Sequence, residues 1–453
     1  MNFVEELRWR GMLHTIMPGT EELLNKGMVS GYIGFDPTAD SLHVGSLAQI
    51  MTLIHFQRAG HKPIALVGGA TGMVGDPSGK SQERNMLSED VLQRNLRGIQ
   101  KQLEKFLDFE SGANSAEVVN NYDWFKDFTF LDFIREVGKH ITVNYMMAKD
   151  SVKNRLDGDN GMSFTEFSYQ LVQGYDFYYL WKNKLCLLQM GGSDQWGNIV
   201  TGTELIRRKD AGEAYAITTQ LIKKSDGAKF GKSEGGNIWL DREKTSPYKF
   251  YQFWRNTSDE DAKIYIRIFT LFNKDVIEAL EVEHLAAPHL CALQKALAKN
   301  ITIRVHGEAA YNLVEKTKNF VFDPKYTWDD LKDLPEDDFI QIFESSNKFY
   351  TQNNVTTKSG ALFNDIVDFL GEIDFPGSDL RLFESKNEIK KLILNGGLYI
   401  NKFKIKIDDK VENFYRMHGK YLFLQKGKKN STLICISDNP IESSNKVNKM
   451  LGK

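Results

Sequence analysis

Residues 35–50, FDPTADSLHVGSLAQI, combine a helix start with side chains that can bind an anion. The stretch PTADS is typical of a turn and a helix N-cap, and a helical pattern follows at once. The first helical turn carries His43, Gly45 and Ser46, which are small or polar where a core-facing helix would need bulk. The unpaired N–H groups of a first turn attract anions, and Thr38 and His43 can donate hydrogen bonds to phosphate oxygens. We therefore expect a phosphate-bearing ligand at this helix start, and the alternative is that His43 only caps the helix or packs near its start.

A second stretch, DGAKFGKSEGG at 226–236, presents Lys229, Lys232 and Ser233 between glycines. Two lysines three residues apart on a flexible loop can stabilise the negative charge that develops in a transition state. Taken alone, a solvated basic loop would explain the same residues.

A third group of polar side chains lies within SFTEFSYQLVQGYDF, where Tyr169, Gln173 and Asp176 are spaced i, i+4 and i+7. This spacing puts all three on one face of a helix. The flanking apolar residues predict that the face is buried, and buried polar groups need partners that a ligand can supply. Tyr32 and Asp176 are both able to hydrogen-bond a phenol.

The common nucleotide and metal fingerprints are missing from the sequence. The glycine-rich stretch LVGGATGMVGDPSGKS has Val74 where a P-loop requires its first glycine, and G-x-G-x-x-G does not occur in it. Three scattered cysteines and nine histidines without ligand spacing predict neither a disulfide framework nor a protein metal site.

The composition, with 41% hydrophobic and 26% charged residues over 453 positions, is that of a globular protein of two to four domains. No apolar run is long enough to cross a bilayer, and MNFVEELRWRG has no signal pattern, so we expect a cytoplasmic protein without membrane association. Residues 385–453 carry 15 Lys or Arg against 6 Asp or Glu, although the whole chain has a net charge of −2. This asymmetry predicts a polyanionic partner for the tail, and a solvated lysine-rich surface explains it equally well.

Short apolar strands such as VSGYIGFD and CLLQMGGSDQ alternate with longer helical stretches. This alternation predicts an α/β fold with a Rossmann-like parallel sheet that binds ligands at the carboxyl ends of its strands. We assign residues 1–244 to this Rossmann-like domain, which would be the catalytic domain. Residues 245–321 are assigned to an all-helical domain and 322–352 to an acidic linker. Residues 353–453 form a small α+β domain in which SKNEIKKLILNGGLYIN predicts a basic helix, a glycine turn and a strand.

HVGS and KFGKS resemble the HIGH and KMSKS motifs of class I aminoacyl-tRNA synthetases, and they occur in the expected order. The stretches YIGFDPTADSLHVG, NNYDW, SFTEFSYQLVQGYDF and GGSDQWGN closely resemble bacterial-type tyrosyl-tRNA synthetases. The resemblance covers the catalytic domain nearly end to end and continues into the later domains. It implies a homodimer, with FTFLDFIREVGKHITVNYMM as the interface, and an anticodon-proximal role for the helical domain.

The resemblance also implies roles for individual residues. Those implied to act on the phosphates are Thr38, His43, Lys80, Arg84, Lys229 and Lys232. Those implied to bind tyrosine are Tyr32 and Asp176 at the hydroxyl, Asp76, Tyr169 and Gln173 at the ammonium group, and Gln195. Those implied to bind ATP are Gly34, Asp36, Gly45, Ser46, Gly192, Asp194, Leu221, Ile222 and Ser233, and those implied to bind RNA are Lys386, Lys390 and Lys391.

Ser46 departs from the HIGH pattern, which has histidine there, and Ile33 is a further change near the nucleotide ribose. A serine has a shorter reach, so a weaker hold on the adenylate or compensation by a neighbour such as Gln49 is expected.

The implied substrates are L-tyrosine, ATP with Mg²⁺ and tRNA(Tyr), with no resident metal or organic cofactor. Three alternatives stay open at this point: a tryptophanyl-tRNA synthetase, a synthetase-derived RNA-binding protein without catalysis, and a nucleotidyltransferase with a HIGH-like motif. The pair Tyr32 and Asp176 argues against the first, and the two intact motifs argue against the second.

Overall fold

The structure is a computed structural model. It describes residues 2–76, 88–156, 161–227, 230–233, 236–322, 325–331, 334–336, 339, 349–353, 365–373, 382–427 and 430–437. The chain forms two compact units, Met1–Leu240 with Arg255–Ile301, and Asp241–Trp254 with Thr302–Lys453. Within the described ranges, no helix has both the length and the apolarity needed to cross a membrane.

The first unit is built on a six-stranded sheet. Its strands are β1 (Leu13–Ile16), β2 (Ser30–Phe35), β3 (Lys62–Val67), β4 (Glu117–Asn120), β5 (Cys186–Gly192) and β6 (Tyr215–Thr219). They are arranged in the order β1-β6-β5-β2-β3-β4, with β1 antiparallel to β6 and the other pairs parallel. The strand that follows β2 in the chain, β3, lies on one side of the β2–β5 pair, and β6, which follows β5, lies on the opposite side. In such sheets the crevice at this reversal is where ligands bind.

Helices surround this sheet. In chain order they are α1 (Phe3–Trp9), α2 (Thr20–Lys26), α3 (Val44–Arg58), α4 (Thr71–Val74), α5 (Glu89–Leu103), α6 (Tyr122–Phe125), α7 (Phe130–Glu136), α8 (Val143–Met147), α9 (Asp150–Leu156), α10 (Phe164–Lys184) and α11 (Trp196–Asp210). A two-stranded ribbon, β7 (Lys232–Ser233) and β8 (Gly236–Asn237), follows β6.

The central strands are apolar along most of their length because both of their faces are covered. Five of the six residues of β3 are buried, as are six of the seven residues of β5. Helix α3, with eleven buried residues out of fifteen, packs against β3. This burial holds α3 against the sheet.

Five further helices follow in chain order: α12 (Pro247–Arg255), α13 (Asp259–Phe269), α14 (Lys274–Ala286), α15 (Ala292–His306) and α16 (Glu308–Phe322). The predicted helical character of 245–321 is confirmed. The two compact units divide this segment, since Arg255–Ile301 belongs to the first unit. The proposed domain boundaries at 244, 321 and 352 stay predictions.

The second unit contains a five-stranded sheet with the order β11-β10-β12-β13-β9. Its strands are β9 (Phe349–Asn353), β10 (Leu398–Ile400), β11 (Phe403–Lys404), β12 (Tyr421–Lys426) and β13 (Asn430–Ser437), and its helices include α17 (Ile366–Gly371) and α18 (Lys386–Leu394). A core of buried residues such as Phe369, Ile389 and Leu422 holds the helices to the sheet. Ser385 caps α18 and Gly396 turns the chain at a positive φ, which confirms the predicted helix, glycine turn and strand.

Candidate active site

A cavity of about 360 Å³ opens at the carboxyl ends of β2 and β5, at the reversal of the sheet. The structure brings fifteen of the predicted site residues together in its wall: Tyr32, Gly34, Asp36, Thr38, His43, Gly45, Ser46, Asp76, Tyr169, Gln173, Asp176, Gly192, Asp194, Gln195 and Leu221. Residues separated by almost two hundred positions along the chain thus form one site.

The remaining predicted residues lie elsewhere or outside the described part. Ile222 is described but is not part of the cavity wall. Lys80, Arg84 and Lys229 lie outside the described residues, and Lys232 and Ser233 are described only as the backbone of β7. The predicted RNA-binding residues are on α18 in the second unit, where the Nζ of Lys386 lies 2.7 Å from Asp368 Oδ1.

Helix α10 presents its predicted polar face to the cavity. Ser163 caps the helix, and Tyr169, Gln173 and Asp176 all line the site, which confirms the predicted spacing. The Tyr169 hydroxyl donates to Asp36 Oδ2 over 3.1 Å, and Thr71 donates to Asp36 Oδ1 over 3.0 Å. Burial and the neighbouring Asp36 raise the pKa of Tyr169 above its ordinary value, so its hydroxyl keeps its proton.

Asp176 is a buried carboxyl held by two donors at the start of α6. Trp124 Nε1 donates to Asp176 Oδ1 over 2.9 Å, and Asn121 Nδ2 donates to Oδ2 over 3.1 Å. Burial raises the pKa of Asp176 to about 8, although the two donors act in the opposite direction. Desolvation disfavours the charged carboxylate more than two neutral donors can favour it.

Tyr32 is a buried residue of β2 and lies near Asp176. Its ring centroid is 5.5 Å from that of Phe177. Burial raises the pKa of its phenol, and the carboxyl of Asp176 adds to the shift. Within the described part of the chain, the buried Tyr32 hydroxyl has no hydrogen-bond partner. A buried hydroxyl without a partner costs free energy, so this end of the cavity is suited to a ligand that brings a polar atom.

A second pair of polar groups faces the same cavity. Gln195 Nε2 donates to Asp76 Oδ2 over 2.8 Å, and Asn198 Nδ2 lies 3.3 Å from Gln195 Oε1. Asp36, Asp76, Asp176 and Asp194 together give the wall four carboxyl groups. The described residues of the wall include no Lys or Arg. The site is therefore suited to an ammonium group, and a polyphosphate would need cationic side chains from elsewhere.

The start of α3 differs from the expectation in one respect. The cap is His43 itself: its Nδ1 accepts from the Gly45 N–H over 2.9 Å, and its carbonyl accepts from Ser46 N–H. The Val44 N–H donates to the carbonyl of Ile238. The prediction that the first-turn N–H groups are free to bind an anion is thus wrong for Val44, Gly45 and Ser46, because the protein already uses them.

The side chain of His43 is the part of this helix start that was predicted to donate to a phosphate oxygen. Because Nδ1 accepts a hydrogen bond, the proton of the neutral ring is assigned to Nε2, which makes Nε2 a donor. A Cβ at Gly45 would lie 2.6 Å from His43 Cε1, so glycine at this position leaves room for the ring. The ring also packs edge-on against Trp239 at 6.0 Å.

Sequence reasoning missed several polar residues of the site. Gln189 lines the cavity from β5, and Thr71 lines it from α4, while Asn121 and Trp124 support Asp176 from behind. The signal for Gln189 was available, since it is the one polar residue before the glycines of the otherwise apolar strand CLLQMGG. The other three had no comparable pattern.

Comparisons with known proteins identify the family of this chain. The family model for tRNA synthetases class I (W and Y) matches residues 24–323. The chain is 58% identical over 438 residues to a tyrosine–tRNA ligase of Bacteroides thetaiotaomicron, with 96% of this chain and 99% of the relative covered. It is 56% identical to a tyrosine–tRNA ligase of Cytophaga hutchinsonii, with 96% and 99% covered.

A solved structure gives the same assignment. A C-terminally truncated mitochondrial tyrosyl-tRNA synthetase of Aspergillus nidulans superposes with a TM-score of 0.64 at 30% identity, covering 71% of this chain and 94% of that one. The chain therefore belongs to the class I tRNA synthetases, and within them to the bacterial tyrosyl-tRNA synthetases.

Proposed function

We propose that this protein is a tyrosine–tRNA ligase that acts in two steps. In the first step, a carboxylate oxygen of L-tyrosine attacks the α-phosphorus of ATP, and the bond to the bridging oxygen breaks to release pyrophosphate. In the second step, a ribose hydroxyl of the 3′ terminal adenosine of tRNA(Tyr) attacks the carbonyl carbon of tyrosyl-adenylate and displaces AMP. Neither step needs a protein nucleophile, so catalysis rests on positioning and electrostatics.

The observation that carries this proposal is the pair Tyr32 and Asp176 at the buried end of the cavity. A substrate phenol can accept from the Tyr32 hydroxyl and bond to the Asp176 carboxyl. Tryptophan offers an N–H but no acceptor, and phenylalanine offers neither group. Sites that lose a buried partner reject such analogues by about 10⁴–10⁵-fold, and tyrosyl-tRNA synthetases facing phenylalanine are the standing example.

The ammonium group of tyrosine belongs among the carboxyl and amide groups at the middle of the cavity. Tyr169 is held by Asp36, Asp76 is held by Gln195, and the buried Gln173 Oε1 has no partner among the described residues. Three acceptors from Asp76, Tyr169 and Gln173 match the three N–H donors of an ammonium group.

The nucleotide belongs at the end of the cavity next to α3. Gly34, Asp36, Gly192, Asp194 and Leu221 line this region, and Ile222 follows directly in the chain. Thr38 and His43 Nε2 supply hydrogen-bond donors for phosphate oxygens. Mg²⁺ enters with ATP as part of the substrate and keeps mostly water and phosphate ligands.

The positive charge that pyrophosphate requires is assigned to Lys80, Arg84, Lys229 and Lys232. This assignment rests on the sequence, and the wall of four carboxyl groups supports it, since that wall cannot neutralise a polyphosphate by itself. Ser233 accompanies these lysines at the nucleotide.

The proposed domains are 1–244, 245–321, 322–352 and 353–453. The tRNA partner is assigned to those that follow residue 244. In the described part of 382–437, ten Lys or Arg stand against five Asp or Glu, and α18 exposes Lys390 and Lys391. This excess of positive charge suits an RNA backbone.

The protein is further proposed to be a cytoplasmic homodimer. Large apolar side chains of the predicted interface segment are exposed in the single chain, including Phe130, Leu131 and Val143 at 65%, 71% and 59%. Exposed apolar patches of this kind mark association surfaces. Sedimentation equilibrium of the purified chain tests this assignment, and a monomer at micromolar concentration would contradict it.

The function is tested by amino-acid-dependent exchange of labelled pyrophosphate into ATP. We expect exchange with tyrosine and none with tryptophan or phenylalanine at equal concentration. Tyrosine-dependent charging of tRNA(Tyr) should follow with the same preparation. Exchange with tryptophan would identify the tryptophanyl alternative, and binding of tRNA without any exchange would identify an RNA-binding protein that has lost catalysis.

A further inference from the structure

The stretch DGAKFGKSEGG contains one large apolar side chain, Phe230, among its glycines and charged residues. This ring is half-buried and contacts two aromatic residues of α13. It stacks on Phe269 with a centroid distance of 5.4 Å and an interplanar angle of 13°, and it meets Tyr265 edge to face at 5.0 Å. Tyr265 and Phe269 are themselves in edge contact at 5.8 Å, so the three rings form one cluster.

The cluster uses a single face of α13. Asp261, Tyr265 and Phe269 follow one another at intervals of four residues, which places them on one side of the helix. All three are buried. Because their side chains are already ordered by the fold, they can hold a ring of a neighbouring segment without a further loss of their own conformational entropy. This face of α13 is therefore a preformed surface for the segment.

The same face also holds residues that precede the KFGKS motif. Asp261 Oδ1 accepts from the Ser225 N–H over 2.9 Å, and the Tyr265 hydroxyl donates to the carbonyl of Lys223 over 3.4 Å. Burial and the neighbouring Asp261 raise the pKa of Tyr265, so its hydroxyl keeps its proton and remains a donor. Lys223, Ser225 and Phe230 are thus all attached to one helix.

The residue after Phe230 meets the HVGS motif. A Cβ at Gly231 would lie 3.0 Å from Val44 Cγ2, and the φ of +84° at Gly231 is one that favours glycine. The Gly231 carbonyl accepts from the Ile238 N–H over 3.0 Å. Two consecutive residues therefore contact α13 and the start of α3 in turn, and in the sequence they stand between Lys229 and Lys232.

We propose that the aromatic face of α13 positions the KFGKS segment through Phe230. By holding this ring, α13 sets where Lys229 and Lys232 meet the pyrophosphate that leaves during adenylate formation. The inference rests on the proposed function, because it takes these lysines to act on pyrophosphate. Phe230 does not line the cavity and is a positioning residue. Without the ring contact, the segment would populate the productive arrangement less often, and the rate would fall by the same fraction.

The first test is Phe230→Ala, which removes the half-buried ring and leaves both lysines and the buried face of α13 in place. We expect the kcat of pyrophosphate exchange to fall by about 5- to 150-fold, the value of two aromatic pairs. The KM for tyrosine should stay unchanged. Phe230→Met should retain most of the rate, because a thioether also packs favourably on aromatic rings.

Removal of the two lysines distinguishes positioning from general damage to the fold. In a chain that already carries Lys229→Ala and Lys232→Ala, the further change Phe230→Ala should lower kcat by less than about twofold. Tyr265→Phe is the matched control on α13, since it keeps the ring and removes only the hydroxyl, and it should cost less than Phe230→Ala. Additive losses, or an unchanged kcat in Phe230→Ala, would overturn the inference.

Limited proteolysis tests the ring contact without the reaction. Trypsin cleaves after lysine, and the segment offers Lys223, Lys224, Lys229 and Lys232. We expect cleavage at these sites, identified by mass spectrometry, to be at least about 5-fold faster in Phe230→Ala than in the wild type. Faster cleavage with a normal exchange rate would overturn the inference, because the contact would then not serve the lysines.

The two readouts also separate this inference from the proposed function. A wild-type chain that shows cleavage dependent on Phe230 but exchanges no pyrophosphate would contradict the proposed ligase. A wild-type chain that exchanges pyrophosphate with tyrosine, and whose Phe230→Ala variant is unchanged in both cleavage and exchange, would contradict the inference alone.

Discussion

The protonation of Asp176 is the residue-scale property with the clearest measurable consequence. Burial raises its pKa to about 8, against about 3.9 for an unfolded aspartate. Between these values the native chain binds a proton that the unfolded chain has released, so the contribution of Asp176 to stability falls as the pH rises from 4 to 8. Asp176→Asn removes this titration.

We therefore expect the stability of Asp176→Asn relative to the wild type to increase with pH, by ~1 kcal/mol or more between pH 5 and pH 8. Thermal unfolding of both chains without ligand, at several pH values in that window, measures the difference. Two parallel stability profiles would mean that the carboxyl has an ordinary pKa in the empty site.

At the same scale, the sequence predicted Tyr32 and Asp176 but neither of the donors that hold Asp176. Side-chain type and helical spacing identify a polar face on α10, and that information is local. Trp124 and Asn121 lie 52 and 55 positions away and reach Asp176 only because the chain folds back over the sheet. No periodicity in the sequence encodes that contact.

At the element scale, the start of α3 is joined to the segment that follows the KFGKS motif. The Leu240 N–H donates to the carbonyl of Leu42, the Val44 N–H donates to that of Ile238, and His43 pairs with Trp239 as an antiparallel bridge. The rings of His43 and Trp239 meet edge to face at 73°. The HVGS motif is thus paired through its backbone with residues 238–240, which follow the KFGKS motif in the chain.

From this pairing we expect Trp239 to position His43. Trp239→Ala should slow pyrophosphate exchange by about 2- to 12-fold, the value of one aromatic pair, and leave the KM for tyrosine unchanged. Trp239→Phe should retain most of the rate. His43→Ala should slow adenylate formation far more than it weakens tyrosine binding.

A double-mutant cycle distinguishes positioning from general damage to the fold. If Trp239 acts through His43, its replacement should cost little in a chain that already carries His43→Ala. Additive losses from the two replacements would show that Trp239 stabilises the fold and does not orient the imidazole.

This element also shows why helix starts are hard to predict in detail. The stretch PTADS contains the side chains that most often cap helices, and the helix nevertheless begins after it, at Val44 with His43 as its cap. The competing interaction is the pairing with Ile238, almost two hundred positions later, which fixes the backbone at Val44. A local sequence pattern predicts that a helix starts here but contains no information about a partner so distant in the chain.

At the scale of the whole molecule, the α/β class and the small C-terminal α+β module were predictable from alternating strand and helix patterns. The pairing of distant segments was not. Residues 349–353, most of which fall in the segment assigned to a linker, form β9 and pair in parallel with β13. A parallel pair joins segments far apart in sequence, so neither strand carries a turn signal that points to the other.

For the second unit we predict that helix α18 binds tRNA, and a lysine of the same helix serves as the control. Lys390 and Lys391 are exposed, whereas Lys386 is paired with Asp368. Replacing both Lys390 and Lys391 by alanine should weaken tRNA binding and lower the slope of log K against log salt by about 1.4–1.8, since each phosphate contact contributes 0.7–0.9. Lys386→Ala should have the smaller effect, because its charge is already neutralised by a neighbour.

Filter binding of tRNA(Tyr) between about 50 and 200 mM salt measures these slopes. Pyrophosphate exchange should be the same in all the variants, because it needs no tRNA, and it serves as the check that the catalytic unit is intact. An unchanged slope in the double variant, or an equal loss in Lys386→Ala, would place the RNA on another face of the second unit. The lysine-rich tail would then be a solvated surface, the other explanation of its charge.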